Sequence, residues 1–341
     1  MPIPDLAAGE ALVRIRCATI CASDLHSRFG RRPVPAPSIL GHEMVGEIAD
    51  TGPEGVCDYR GVRLARGDRV TWSMVWSCGD CFYCQRGLRP KCEHLAKFGH
   101  EELGSARPLF GSMAEYCWLP RGTAIFRVPQ PLPDLVACPA SCATATVAAM
   151  FRTAGIVEGQ TVVVHGAGML GLAACAMAAS LGAESIVAVE PDPERREIAL
   201  RFGASVALDS AFSAEEIQTR IKALTAGRGA DAAFELSGHP DSIELGIGLL
   251  RPGGRLLLAG ATFPARPVRL DAQQLVRRMI QVSGVYNYAP EDLETALRFL
   301  AGASNRYPFE KLVAKTFPLA EADAAFAFAE RERPLRAALI P

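Results

Sequence analysis

Apolar and polar residues alternate through Ala11-Leu12-Val13-Arg14-Ile15-Arg16, the pattern of a strand with one face in a core and the other in water. Short β-rich runs follow at 44–48 and 69–76, separated by glycine, proline and aspartate, which predicts a compact, irregular β region. Beyond residue 160 the pattern changes. Thr161-Val162-Val163-Val164-His165 is a continuous apolar run of buried-strand length, and Gly166-Ala167-Gly168-Met169-Leu170-Gly171 separates it from a helical pattern over 172–181. Strand signals recur at 186–189, 231–236, 255–259 and 281–285, with helices expected near Arg195, Glu216, Leu245 and Val276. That rhythm predicts a six-stranded, doubly wound parallel sheet. After Tyr286 the patterns predict a helix near Leu297, a strand near Val313, an alanine-rich helix over 320–330 and a last strand near Ala337. The stretch 161–183 is almost uncharged and long enough to suggest a membrane span. Its glycines, His165 and the change from β-branched to alanine-rich composition divide it instead into strand, turn and helix.

Composition narrows the class. With 341 residues and 49% hydrophobic content the chain has material for two domains and ample core. Its 36 basic and 37 acidic side chains nearly cancel, without a run of like charge, so neither nucleic acid nor a membrane surface is an expected partner. Small molecules and further copies of the chain are. Eleven cysteines without a signal-like N-terminus suggest a reducing compartment, the cytoplasm by default, in which thiols serve metals or cores.

Two groups of those thiols are arranged for metal. Cys21 and His42 lie in Cys21-Ala22-Ser23-Asp24-Leu25-His26 and Gly41-His42-Glu43, and a second thiol, Cys142, precedes the nucleotide-binding pattern. Sulfur and imidazole nitrogen suit tetrahedral zinc, and three protein ligands leave the fourth position open, the mark of a catalytic site. Cys78, Cys81, Cys84 and Cys92 are closely spaced among Gly, Asp and Arg, and four thiolates can close a structural zinc site. Two zinc ions per chain are therefore expected. The plain alternative for Cys142 is a buried inert thiol among small apolar neighbours. Cys17, Cys57, Cys117, Cys138 and Cys175 lack partners at metal spacing and read as ordinary thiols, and His94, His100, His165 and His239 default to structural roles.

The Cys-x-Ser-Asp-x-His motif followed by Gly-His-Glu resembles the zinc-containing alcohol dehydrogenases of the medium-chain dehydrogenase/reductase superfamily, and further motifs follow in that family's order over nearly the whole chain. The resemblance implies an α/β protein with a GroES-like irregular β catalytic domain at 1–143 and 287–341 and a Rossmann cofactor domain at 144–286, the substrate binding in the cleft between them. It implies Cys21, His42 and Cys142 as ligands of the catalytic zinc and a proton relay from Ser23 through the nicotinamide ribose to His26. Asp24 would partner His42, and Glu43 would lie behind the metal. The four-cysteine lobe would be structural, near a subunit interface, in a homodimer or homotetramer. Relatives usually carry an additional strand pair before Ala11, so either the start is annotated late or this protein lacks an edge of the catalytic domain. Taken singly, Ser23 is a loop hydroxyl and His26 a surface histidine; the six-residue motif gives them roles.

The chemistry needs a Lewis acid, because a free alcohol is a very weak acid near neutral pH and a zinc ion lowers the pKa of a bound hydroxyl by several units. The glycine pattern at Gly166, Gly168, Met169, Leu170 and Gly171 follows a strand and opens a helix, as pyrophosphate binding at a helix N-terminus requires. Glu190, twenty-four positions after Gly166, can accept hydrogen bonds from an adenosine ribose and would repel a 2′-phosphate, favouring NAD over NADP. Arg195 and Arg196 stand against that preference, since either can pair with a phosphate. Thr146, Val285 and Asn287 correspond to family positions at the nicotinamide.

The expected activity is thus NAD-dependent interconversion of an alcohol and its aldehyde or ketone. A zinc-free quinone or enoyl reductase lacks these ligands, and a non-catalytic nucleotide-binding protein would have no use for Ser23 and His26. Lys97-Phe98-Gly99-His100-Glu101 looks like a subgroup described as phosphonate-catabolism-associated alcohol dehydrogenases, for which Arg28, Arg31, Arg32, Lys97, His100 and Arg107 are candidate cations. The competing expectation, favoured on the general apolarity of substrate pockets, is that Met74, Trp76 and Met113 line a pocket for a bulky or secondary alcohol.

Overall fold

The computed structural model describes residues 3–104, 107–156 and 158–341. The chain divides into two units. One runs to Ala145 and takes up Tyr288–Ser304 and Phe309–Pro341; the other comprises Thr146–Asn287 and Asn305–Pro308.

In the first unit, β1 (Ala11–Thr19) buries Leu12, Val13 and Ile15 and exposes Arg14 and Arg16, as the alternation requires. The helix α1 (Ala22–Arg28) follows at once. β2 (Met44–Thr51), β3 (Arg69–Trp72), β4 (Val75–Trp76), β5 (Ala96–Lys97), β6 (Tyr116–Leu119) and β7 (Ile125–Arg127) complete the β region before the single turn α2 (Asp134–Ala137) and α3 (Ala143–Ala154). β1 is central because it pairs antiparallel with β2 and with β6, and all their apolar faces converge on a core around Trp72, Phe98 and Phe110. The single strand expected over 69–76 is broken into β3 and β4. The physical reason is that the Met74 amide donates to the Tyr288 hydroxyl (3.0 Å) instead of a strand ladder.

The second unit alternates β8 (Thr161–His165), α4 (Met169–Ser180), β9 (Ser185–Val189), α5 (Pro193–Arg201), β10 (Val206–Leu208), α6 (Ala214–Leu224), β11 (Ala230–Glu235), α7 (Pro240–Leu249), β12 (Leu250–Leu258), α8 (Ala272–Arg277) and β13 (Gln281–Gly284). Every strand pair is parallel, in the order β10-β9-β8-β11-β12-β13. This is the doubly wound sheet expected, with β8 and β11 either side of the point where the order reverses. Its sixth strand, β10, has three residues and carried no sequence signal of its own. The chain then closes the first unit with α9 (Pro290–Ala303), β14 (Val313–Pro318), α10 (Ala322–Glu332) and β15 (Arg336–Ile340), which adds to β1. No disulfide joins any of the eleven cysteines, and among the described residues no single helix is long and apolar enough to cross a membrane.

Candidate active site and metal centres

Cys21 stands at the N-cap of α1, and the carboxylate of Asp24, one turn on, accepts the Cys21 amide through Oδ2 (2.9 Å). Its other oxygen faces Nδ1 of His42 at 3.1 Å, with both side chains fully buried. A carboxylate accepts only, so Nδ1 holds a proton in either charge state, and when the ring is neutral, as a metal ligand must be, the lone pair is on Nε2. At Nε2 stands the Ser23 hydroxyl, 3.2 Å distant.

Cys142 arrives from the far side, at the end of a 3-10 turn over Cys138–Ser141. Ser141 Oγ donates to the His42 carbonyl (3.2 Å), and the Tyr288 hydroxyl donates to the Ser141 carbonyl. Ligand atoms of Cys21, His42, Glu43 and Cys142 all lie within 4.8 Å of one another. The Cys142 thiol's hydrogen bond holds Cys21 well below the usual thiol range against the opposing effect of burial, helped by the charges of Arg336 and His42. Burial pushes the His42 imidazole down, but Asp24 and Cys21 outweigh it and raise it to about 9. Two sulfurs and an imidazole nitrogen, one sulfur already favouring the thiolate, form a donor set that fits zinc.

Glu43 is held elsewhere. Its Oε2 accepts from Thr19 Oγ1 (2.6 Å) and Arg336 Nε (2.7 Å), and its Oε1 from Arg336 Nη2 (2.6 Å). Arg336 Nη2 also lies 3.7 Å from Cys21 Sγ. The pair is buried, so losing either partner would strand a charge at a cost of about 3–5 kcal/mol. His26, on the next turn of α1, is shifted below the usual histidine range by burial and by Arg31 and Arg32.

The second thiol cluster brings Cys78, Cys81, Cys84 and Cys92 within the same 4.8 Å limit. The amides of Cys78 and His94 each point at Cys92 Sγ (3.3 Å). Amides of Glu93 and Cys84 lower the Cys81 thiol to about 6. Four convergent sulfurs with amide donors fit a closed structural zinc site.

In the second unit, Gly166 (φ +90°) turns the chain from β8 into α4, whose N-cap is Gly168. Glu190 at the end of β9 accepts the Ala167 amide (2.6 Å) through one oxygen and the Asp192 amide (3.1 Å) through the other. A cavity of about 580 Å³ opens here, lined by Gly166, Gly168, Glu190, Arg195, Ser237 and His239. Arg195 faces it, whereas Arg196 is drawn away to the Glu190 carbonyl (2.8 Å) and Asp209 (3.1 Å). Met169, Leu170 and Gly171 form the first turn of α4, so the helix begins three residues before the stretch expected. Thr146 lies buried in α3. The Val285 amide donates to the Leu258 carbonyl (2.8 Å), and Asn287, at φ +52°, buries an Nδ2 with no partner among the described residues. A larger groove, about 920 Å³, touches none of these residues.

Two models of known families match, one described as "Alcohol dehydrogenase GroES-like domain" over residues 7–130 and one as "Zinc-binding dehydrogenase" over 170–302. The chain is 31% identical over 328 residues to 5-exo-hydroxycamphor dehydrogenase of Pseudomonas putida, covering 95% of this chain and 90% of that protein. This chain belongs to the zinc-type alcohol dehydrogenases. Among solved dehydrogenases, an alcohol dehydrogenase from Thermotoga maritima superposes with a TM-score of 0.94 at 30% identity, covering 100% of this chain and 94% of the other. A short chain alcohol dehydrogenase from Escherichia coli CFT073, complexed with NADH, gives 0.84 at 25% identity over 100% and 94%. The matches establish the zinc-type alcohol dehydrogenase family, with its GroES-like and Rossmann domains; they do not extend to the phosphonate-associated subgroup.

For this zinc-type alcohol dehydrogenase, three residues of the site carried no sequence signal. Arg336 is 293 positions from Glu43, Tyr288 is 147 from Ser141, and Thr19 sits in an ordinary strand. No local pattern marks such contacts. Of the apolar trio, Met74 is buried, and Trp76 and Met113 are partly buried and pack against the β core, with Trp76 Nε1 donating to the Arg121 carbonyl (2.8 Å).

Proposed function

We propose that this chain is a zinc-dependent alcohol dehydrogenase that uses NAD to interconvert an alcohol and its aldehyde or ketone. The observation that supports it most is the Ser23 hydroxyl 3.2 Å from the Nε2 of a histidine whose tautomer is set by Asp24, inside a two-thiol donor set. Cys21, His42 and Cys142 would hold the zinc, which supplies Lewis-acid assistance to the loss of the alcohol proton. Ser23 accepts that proton's hydrogen bond and aligns it. His26, shifted below the usual histidine range by burial and two arginines, would receive the proton at its ring. Glu43, clamped by Arg336, sets the potential behind the ligands without competing for them.

Cys78, Cys81, Cys84 and Cys92 would hold a second, structural zinc. The turn through Gly166, Gly168, Met169, Leu170 and Gly171 would receive the pyrophosphate, and Glu190 the ribose, its charge opposing a 2′-phosphate. Arg195 faces the same cavity, and Thr146, Val285 and Asn287 would serve the nicotinamide. NADH in the E. coli relative is consistent with that preference. Eleven cysteines outside any disulfide suit a reducing compartment such as the cytoplasm.

Metal analysis and turnover test the reading together. Two zinc ions per chain are expected, and mild chelation removes the one with the open position, abolishing NAD reduction by alcohols while the fold persists. One zinc per chain, or turnover after complete removal, is the contrary outcome.

A further inference from the structure

The cations around the Cys21–His42–Cys142 pocket fall into two groups. Arg28 pairs with Asp323 (3.1 Å), Arg31 grips Glu330 through two hydrogen bonds of 2.8 Å, and Arg107 pairs with Glu101. Each of these charges is balanced. Arg32 and Lys97 are not. Arg32 Nη2 is buried without a hydrogen-bond partner among the described residues, and the half-buried Lys97 side chain likewise makes no ion pair or hydrogen bond there. Beside them, His100 Nε2 is also buried and unpartnered, its Nδ1 being committed to the Phe98 carbonyl (3.0 Å).

The fold brings these residues to the metal ligands. A Cβ on Gly99 would fall 2.7–2.9 Å from backbone atoms of Gly41, so the 97–100 turn lies directly on the loop that carries His42. The His100 and His42 ring centroids are 5.3 Å apart. The Arg32 amide is tied to the His26 carbonyl (3.0 Å). Burial pushes the Lys97 ammonium below the usual lysine range, with Arg32 adding to the shift and Cys142, Cys21 and Asp24 opposing it, and burial, Lys97, His42 and Arg32 together push His100 down to about 2.

A charge count around the pocket leaves a surplus. Two thiolates would be matched by one divalent ion and Glu43 by Arg336, while Asp24, hydrogen-bonded to an imidazole that is neutral as a metal ligand, keeps one negative charge. Against it stand Arg32 and Lys97, partly buried cations that exceed it by one positive charge, and a poorly solvated charge without a partner is costly. We propose that the alcohol taken by this pocket carries an anionic group, a carboxylate or a phosphoryl group, away from the reacting hydroxyl, and that Arg32 and Lys97 hold it. Arg32 offers a planar fork that matches either oxyanion, and Lys97 a point charge beside it. This deepens the dehydrogenase reading above and rests on it.

The test uses zinc-loaded enzyme, NAD and three alcohols of one chain length ending in a carboxylate, a phosphate monoester or a neutral amide. One anionic alcohol is expected to exceed the amide by about 30-fold or more in kcat/KM, through KM and less so at high salt; which of the two does so identifies the anion. In Lys97→Met and Arg32→Gln, with zinc content confirmed, that ratio falls towards one. A readout without turnover is the rise in Tm caused by inorganic phosphate or acetate, which both substitutions should diminish. Preference for the amide, or an anion preference that survives both substitutions, overturns the proposal. Turnover of the amide with no anion effect refutes the anion site and keeps the dehydrogenase. A Lys97-dependent Tm response without turnover of any alcohol does the reverse.

Discussion

At Ser23 a single hydroxyl lies against the nitrogen that would face the metal, and it is 3.2 Å from His42 Nε2 because Asp24 fixes the ring from the opposite side. Ser23→Ala should lower kcat by about 100-fold or more, the usual scale for a lost proton-transfer partner. The Kd for NAD should stay nearly unchanged, because Ser23 acts at the alcohol and not on the adenosine half. A matching loss of NAD binding would contradict that role. His165 is a different kind of residue: it is buried in β8, both ring nitrogens lack partners among the described residues, and burial lowers its pKa from 6.5 to about 4. Above the unfolded value both states are neutral. As pH falls from 6.5 towards 4, the unfolded chain takes up a proton that the folded chain refuses, so stability declines across that window by up to about 3 kcal/mol. Thermal melts at neutral and acidic pH should show a smaller acid loss for His165→Gln than for the wild type; equal losses would remove His165 from the account.

The elements meet most closely where α4 leaves the nucleotide turn. A Cβ at Gly171 would stand 1.8 Å from the Gly166 carbonyl oxygen, whereas one at Gly168 would meet nothing within 4 Å. Gly171→Ala must therefore move the helix off the turn, at a cost of about 3 kcal/mol, with a lower Tm and weakened NAD binding. Gly168→Ala should keep the wild-type Tm, so any loss of NAD affinity in it reports the approach of the pyrophosphate alone. Melting and NAD titration of both variants check this, and equal stability of the two would refute the packing argument. The glycine spacing was legible in the sequence because each glycine answers a local steric need. The interruption of the 69–76 strand was not, since the hydroxyl that captures the Met74 amide comes from Tyr288.

At the scale of the whole molecule, we propose that copies of this chain associate. β13 is an end strand of the second sheet, paired with β12 and with no other strand among the described residues, and Val276, Met279, Val282 and Tyr286 around it are exposed. An exposed apolar edge strand invites strand pairing, and a second copy of this chain can cover it antiparallel across a two-fold axis. We expect a homodimer or a tetramer built from it, and Val282→Lys should shift the mass measured by light scattering towards the monomer; an unchanged mass would place the interface elsewhere. The sequence by itself determined the sheet-and-helix rhythm, the nucleotide turn, both cysteine clusters and the Ser23–His26 motif, since periodicity, turn sterics and ligand chemistry act over neighbouring residues. Only the tertiary structure decided that Arg336 clamps Glu43, that Tyr288 holds the Cys142 turn and that Met74 belongs to the core. It also decided which cations are balanced. Arg31 and Arg32 are neighbours of one type, and a carboxylate at position 330 neutralises the first while the second leaves its Nη2 without a hydrogen-bond partner among the described residues. Pairing of charge depends on distance through space, which a local pattern does not contain.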